Sequence, residues 1–244
     1  ARVGPLPAWL LHGRDSTWAI FVHGRAATRA EVLRMIPSYR ALGLPCLVIT
    51  YRNDRGAPRL GNGSYRLGVT EWRDLEDAVR NARSHGARDV VLVGCSMGGS
   101  IVAQFLRHSA DTTLTRAAVL DAPALDWNAL FAMASRERHV PLIVTDLGEL
   151  IASLRTGLRW SEVTQIPHAR EFSTPMLIFH GDADETAPVE VSERFAALRA
   201  DLVTFHEIHG AGHVESSNVD PQWYAATLER WLRAHGIGAR SKTP

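Results

Sequence analysis

The chain has 244 residues, 45% apolar and 22% charged, enough for one water-excluding core with room for an inserted subdomain. Its 27 basic and 26 acidic residues leave a formal charge of +1. The basic ones are spread along the chain, so no polyanion-binding surface is indicated and no nucleic-acid partner is expected. The first strand is expected over residues 6–12, turning at Gly13-Arg14-Asp15-Ser16. Trp18-Ala19-Ile20-Phe21-Val22 is a continuous apolar run, the mark of a strand covered on both faces, and it ends at His23-Gly24-Arg25. Thr28 can cap a helix in which Val32, Met35, Ile36, Tyr39 and Leu42 recur at helical spacing, with a kink expected at Pro37. Residues 46–51 form the next buried strand, and 52–68 a glycine-punctuated connection of the length that often carries function. A helix over about 70–84 follows and ends at Gly86.

The run Asp89-Val90-Val91-Leu92-Val93 is a strand leading into Gly94-Cys95-Ser96-Met97-Gly98 and then a helical pattern. A short strand over 117–120 closes at Asp121-Ala122-Pro123. Residues 123–173 break the alternation: Trp127, Leu130, Leu142, Ile143, Val144, Leu147, Leu150, Leu154 and Trp160 fall at helix-like spacing, although 140–144 would also pass for a strand. They are read as a cap inserted between core segments 1–122 and 174–244. The strand pattern resumes at Met176-Leu177-Ile178-Phe179 and runs into His180-Gly181-Asp182-Ala183-Asp184. A helix over 188–199, a strand over 202–208, the turn Gly210-Ala211-Gly212 before His213 and a last helix over 221–235 complete the chain, with 237–244 as a frayed tail. Alternating strands and helices give an α/β fold with a mostly parallel sheet and helices on both faces. In such sheets sites gather at the carboxyl ends of strands, and Arg25, Ser96, Asp184 and His213 each follow one.

Gly94-Cys95-Ser96-Met97-Gly98 has the G-x-S-x-G form of a strand-turn-helix elbow, whose tightness demands glycine beside the serine. A serine hydroxyl becomes a useful nucleophile only when a neighbouring base takes its proton, and near neutral pH that base is histidine. Of eleven histidines, His213 alone sits in a small-residue turn between the last strand and the last helix. His206 and His209 face opposite sides of a strand, which argues against a metal cluster with His213, and His12 and His180 read as structural strand-end residues. The carboxylate that orients His213 is assigned to Asp184, in His-Gly-x-x-Asp, with Asp121 as its rival. Asp182 reads as a turn-former that bonds its own backbone. An oxyanion hole needs two amides, each worth roughly 3 kcal/mol, and the main chains of Met97 and Arg25 are placed to supply them.

With these residues assembled, the chain resembles the α/β-hydrolase family over about residues 6–231. The order Ser96, Asp184, His213 matches that family's nucleophile, acid and histidine; His23-Gly24-Arg25 corresponds to its oxyanion loop, and 123–173 to the cap it carries after its sixth strand. Within the family the chain is similar to small bacterial carboxylesterases, lipase-like proteins and acyl hydrolases, and Gly68-Val69-Thr70-Glu71-Trp72-Arg73-Asp74-Leu75 is similar to the same stretch in membrane-associated serine hydrolases. One strand precedes the oxyanion loop's strand where the full plan has two, and Arg25 replaces a more usual apolar residue, which would bias the site toward an anionic or polar acyl group.

The resemblance implies a serine hydrolase that cleaves a carboxylic ester or thioester through an acyl-enzyme, acting on a small-molecule substrate with no metal or organic cofactor. Amidase, peptidase and carbon–carbon hydrolase share the same three residues, and a non-catalytic ligand-binding member of the fold is the remaining alternative. Trp127 and Trp160 either line an acyl pocket or fasten the cap to the body. Cys46 and Cys95 lie in or beside apolar runs and read as buried thiols with no disulfide. No run approaches the ~18–20 residues of a membrane span and the start lacks a signal-peptide plan, so a cytoplasmic location is expected. Because the chain begins with Ala1, an upstream leader or anchor stays open, as does the oligomeric state.

Overall fold

The computed structural model describes residues 3–140, 151, 153 and 157–238. Strands β1 (Ala8–Leu11), β2 (Thr17–Val22), β3 (Cys46–Ile49), β4 (Asp89–Cys95), β5 (Thr115–Asp121), β6 (Met176–Gly181) and β7 (Val203–Ile208) form one sheet. Its order is β1-β3-β2-β4-β5-β6-β7, with every neighbouring pair parallel except β1, which runs antiparallel beside β3. Around it lie α1 (Ile36–Ala41), α2 (Trp72–Ser84), α3 (Met97–His108), α4 (Trp127–Glu137), α5 (Val189–Leu198), α6 (Ser216–Val219) and α7 (Pro221–Ala234). One strand precedes β2, as the sequence indicates.

Apolar runs without alternation become strands buried on both sides: every residue of β2, β3 and β6 is buried. Ile20, Val22, Leu92 and Ile178 pack to one side with Leu75 of α2, Phe105 of α3 and Phe195 of α5. Phe21, Val91, Leu177 and Phe179 pack to the other with Tyr39 of α1 and Leu228 of α7. Each buried large side chain stabilises the fold by about 1.5–3 kcal/mol. The sheet is thereby fixed from both faces, which holds its strand ends still enough to carry a site.

Local differences from the sequence reading have simple causes. The kink expected at Pro37 is a full break: a 3₁₀ turn over Arg29–Arg34, capped by Thr28, ends at Met35, and Pro37 sits in the first turn of α1, where its missing N–H leaves no bond unmade. The helix expected from residue 70 starts at Trp72, because the buried Glu71 carboxylate accepts from the amides of Arg66, Gly68 and Thr70 at 2.6, 3.1 and 3.3 Å and closes the long loop there. Within residues 123–173, α4 and 3₁₀ turns at Trp160–Glu162 and Ile166–Glu171 are described. Leu142, Ile143, Val144, Leu147, Leu150 and Leu154, with most of the alternative strand at 140–144, lie outside the described residues, as does the tail beyond Gly238.

Asp121 ends β5 fully buried; its Oδ1 accepts from Ser216 Oγ at 2.7 Å, tying the sheet to α6, while Oδ2 has no hydrogen-bond partner among the described residues. Burial pushes this carboxyl up to about 6, against the Ser216 hydroxyl and the Arg34 charge. A carboxyl raised on folding holds its proton more tightly folded than unfolded, so its contribution to stability is lost as pH rises, by up to about 3 kcal/mol between about pH 4 and 6. Asp121→Asn cannot ionise and should remove that slope. Thermal unfolding of both proteins across this window measures it, and parallel Tm curves would refute the effect of burial.

Candidate active site

Between β4 and α3 the chain reverses within one residue. Ser96 takes φ 50° and ψ −117°, a conformation that costs a residue with a side chain about 1–3 kcal/mol. The reversal brings backbones so close that a Cβ on Gly94 would lie 2.7 Å from the Gly98 carbonyl oxygen, and one on Gly98 would run into the Val22 carbonyl. The Ser96 amide donates to the Asp121 carbonyl at 3.1 Å, and its carbonyl accepts from Gly99 and Ala124 at 2.9 and 3.0 Å. These bonds hold the strained residue in place.

His213 lies in the turn between β7 and α6, half-buried, with Nε2 2.8 Å from Ser96 Oγ and Nδ1 2.7 Å from Asp184 Oδ2. Asp184 follows β6 and is buried; its Oδ1 accepts from the Thr186 and Ala187 amides at 2.8 and 2.9 Å. Burial alone would raise its carboxyl, but hydrogen bonds from His180 and His213, the His213 charge and the Ala187 amide together hold it well below the usual carboxylate range. Asp121, the rival, bonds Ser216, while His213 Nδ1 bonds Asp184. Asp182 does order a turn, though across the sheet edge: it accepts from Gly210 N at 2.6 Å and pairs with His209 at 2.7 Å, bracing the turn that carries His213.

The turn after β2 faces this pair. Gly24 is so close to Ser96 that an added Cβ would sit 3.1 Å from the serine Cβ. The Gly24 amide donates to Glu31 Oε2 at 2.6 Å and its carbonyl accepts from the Tyr51 hydroxyl at 2.8 Å, fixing the peptide that precedes Arg25. Tyr65 joins the same turn to the long loop: its hydroxyl donates to Asp54 Oδ1 at 3.0 Å and takes a hydrogen bond from the Ala26 backbone. Met97 opens α3, so its amide has no carbonyl four residues back within the helix. The exposed Arg25 stands beside a cleft of about 400 Å³ lined by Ala26, Asp54, Arg55, Arg59 and Tyr65.

Trp127 is 5% exposed; its indole N–H donates to Ser100 Oγ at 3.0 Å, and Ser100 in turn bonds the Ala124 carbonyl. Phe131 packs beside Trp127 and edge-on to Trp160, with ring centroids 5.9 and 5.5 Å apart. Cys46 and Cys95 are buried free thiols. No group of three or more metal-ligating side chains occurs among the described residues, and no helix among them is long and apolar enough to cross a membrane. Sequence reasoning passed over Glu31 and Tyr51, which have no motif; His180, read as structural, is buried four residues before Asp184 in His-Gly-x-x-Asp, with Nε2 3.2 Å from Asp184 Oδ2.

A hydroxyl donating to Nε2 of a ring whose Nδ1–H donates to a carboxylate can pass its proton to the ring while the carboxylate stabilises the imidazolium. Residues 41–236 match the prolyl oligopeptidase family. No curated protein gives a significant sequence match. Among solved structures, the Pyrococcus furiosus esterase Pf2001 aligns at a TM-score of 0.73 and 16% identity, covering 94% of this chain and 87% of its own. Thermogutta terrifontis esterase 2, phosphonylated by sarin, aligns at 0.70 and 23% identity, covering 95% and 91%. An α/β hydrolase from the sediment metagenome of the Mar Chica lagoon, Morocco, aligns at 0.67 and 20% identity, covering 96% and 97%. Identities this low carry the fold alone, and that fold agrees with the sheet order and the elbow described above. The chain has the α/β-hydrolase fold and belongs to the prolyl oligopeptidase family.

Proposed function

We propose that this chain is a serine hydrolase that cleaves carboxylic esters through an acyl-enzyme, with Ser96 as nucleophile, His213 as base and acid, and Asp184 as the orienting carboxylate. The observation that carries the reading is the unbroken chain of contacts Ser96 Oγ, His213, Asp184 at 2.8 and 2.7 Å across three strand ends. Ser96 Oγ attacks the substrate carbonyl carbon as its proton passes to His213 Nε2. The carbonyl electron pair moves to oxygen, where the amides of Met97 and Arg25 receive the charge. As that pair returns, the carbon–oxygen bond to the leaving alcohol breaks and His213 gives the alcohol its proton. Water then repeats the cycle on the acyl-enzyme, releasing the acid and restoring Ser96. These steps call on no metal and no organic cofactor. Residues 123–173 serve as the cap, with Trp127 anchoring it to Ser100 and Trp160 packed edge-on to Phe131.

An aryl fluorophosphonate should label wild-type protein at Ser96 and leave Ser96→Ala unmodified. Turnover of 4-nitrophenyl acetate should fall about 10⁴-fold or more in Ser96→Ala, His213→Ala and Asp184→Asn. A folded wild-type sample that neither labels nor turns over would end the reading. That the Thermogutta esterase is phosphonylated by sarin makes this probe class apt.

The match to the prolyl oligopeptidase family favours peptide cleavage as a second reading. The same acyl group offered as an ethyl ester and as an ethylamide separates them: esterase action predicts turnover of the ester with no detectable cleavage of the amide, and measurable enzyme-dependent cleavage of the amide, lost in Ser96→Ala, would favour the peptidase. The cleft beside Arg25 bears on the acyl group. Among the described residues Arg55 and Arg59 line that cleft with one carboxylate, Asp54, which is already engaged by Tyr65, and the Arg25 charge acts on Tyr65 from beside it. The 4-nitrophenyl monoester of glutaric acid should therefore be preferred over the butyrate ester about tenfold at low salt, and Arg25→Ala should erase the preference. Equal rates on the two esters in wild type would remove it.

A further inference from the structure

His180 is fully buried at the end of β6, and its ring contacts lead to the acid of the proposed triad. Nδ1 lies 2.7 Å from Ser192 Oγ, on α5. Nε2 lies 3.0 Å from the Ala187 carbonyl and 3.2 Å from Asp184 Oδ2. A carbonyl and a carboxylate can only accept, so Nε2 carries the proton. With the proton on Nε2, Nδ1 can accept from the hydroxyl of Ser192, itself fully buried. Asp184 Oδ2 thus receives two imidazole N–H groups, from His180 at 3.2 Å and from His213 at 2.7 Å. The contacts form a mirror-like series: Ser192, His180, Asp184, His213, Ser96.

We propose that His180 is a positioning residue for Asp184, whose Nε2–H fixes the carboxylate's orientation and draws off part of the negative charge it presents to His213. This rests on the assignment of Asp184 and His213 above. A second donor on the same oxygen leaves less negative charge facing the His213 ring, so a change at residue 180 is read out in the pH dependence of the reaction. The other charged groups around the two rings are Asp121 at the end of β5, Arg34, which donates to the Val214 carbonyl, Glu215 just after the His213 turn, and Glu193 and Glu207 on the side of His180. None of these occupies the Asp184 oxygen that His180 shares with His213.

The test compares wild type, His180→Phe and His180→Gln on 4-nitrophenyl butyrate from pH 5 to 9. Phenylalanine keeps a ring without a donor, whereas the glutamine amide can donate from close to the Nε2 position. His180→Phe should lower kcat about tenfold with KM little changed, and move the acid limb of kcat/KM upward by about half a pH unit or more. His180→Gln should bring the limb back. A lowered rate with the limb unmoved, or a glutamine variant as impaired as the phenylalanine one, would reduce His180 to packing and overturn the proposal. Should His180→Phe fail to fold, the ring-nitrogen NMR shifts of wild-type His180 decide: protonated Nε2 with bare Nδ1 supports it, and the reverse tautomer overturns it. Wild type that takes fluorophosphonate at Ser96 while the limb stays put sinks the His180 role alone. No labelling of wild type sinks the enzyme reading with it.

Discussion

The structure turns on a steric condition at one residue. Ser96 stands in a positive-φ reversal that only glycine at 94 and 98 permits, because a Cβ at either position would enter the backbone opposite. That conformation is costly by itself and persists because the surroundings over-determine it. Its amide is fixed to the end of β5, its carbonyl to Gly99 and Ala124, and β4 is paired on both sides inside a sheet covered on both faces. The hydroxyl therefore meets His213 Nε2 in a set geometry, 2.8 Å away.

Around this point the strand-end loops are tied together by buried polar contacts. Glu31 takes the Gly24 amide and Arg34, on the same 3₁₀ turn, donates to the Val214 carbonyl, so one short element bridges the turn after β2 and the turn holding His213. Val214 has φ 56°, in the positive-φ region with Ser96 and Ala26, and the guanidinium secures its carbonyl. Tyr51 and Tyr65 fasten the first turn from the loop side, and Asp182 with His209 and Gly210 braces the second. His23 Nε2 and Asp54 Oδ2 lie 2.8 Å apart within this framework, set off the line of a hydrogen bond. Each contact is modest, about 1 kcal/mol net. Their value lies in keeping separate loops in register, so that the Ser96, His213 and Asp184 side chains stay in contact.

Legibility in the sequence followed the range of the interactions. The strands were readable because uninterrupted apolar runs such as Trp18–Val22 leave few other ways to bury themselves, and the elbow because its sterics confine the residues to a pattern. That Ser96, Asp184 and His213 would come together was readable because each follows a strand end. Strand lengths were overestimated at the rim: β1 spans four residues where seven were expected, since an edge strand lacks a second partner to extend it. Residues such as Glu31, Arg34 and Ser192 were silent because their partners lie across the fold: Arg34 bonds a carbonyl 180 positions away. His180 hid in plain view for a related reason. Its spacing to Asp184 was visible, but the Ala187 carbonyl and Ser192 hydroxyl that set its proton come from the loop and helix that follow.

Asp121 and Asp184 end neighbouring strands, both nearly inaccessible to water, and their surroundings drive them in opposite directions. Asp121 has one hydroxyl donor and an oxygen with no partner among the described residues, so burial dominates and the proton is held to higher pH. Asp184 has two backbone amides on one oxygen and two imidazoles on the other, and stays ionised well below the ordinary range. A carboxylate that must stabilise an imidazolium has to be charged before the proton arrives, and a fully furnished acceptor shell is what keeps a buried one charged. The number of donors around each side chain separates an acid that can serve His213 from one that ties α6 to the sheet. Two carboxyl groups at adjacent strand ends thus take different work from the same fold.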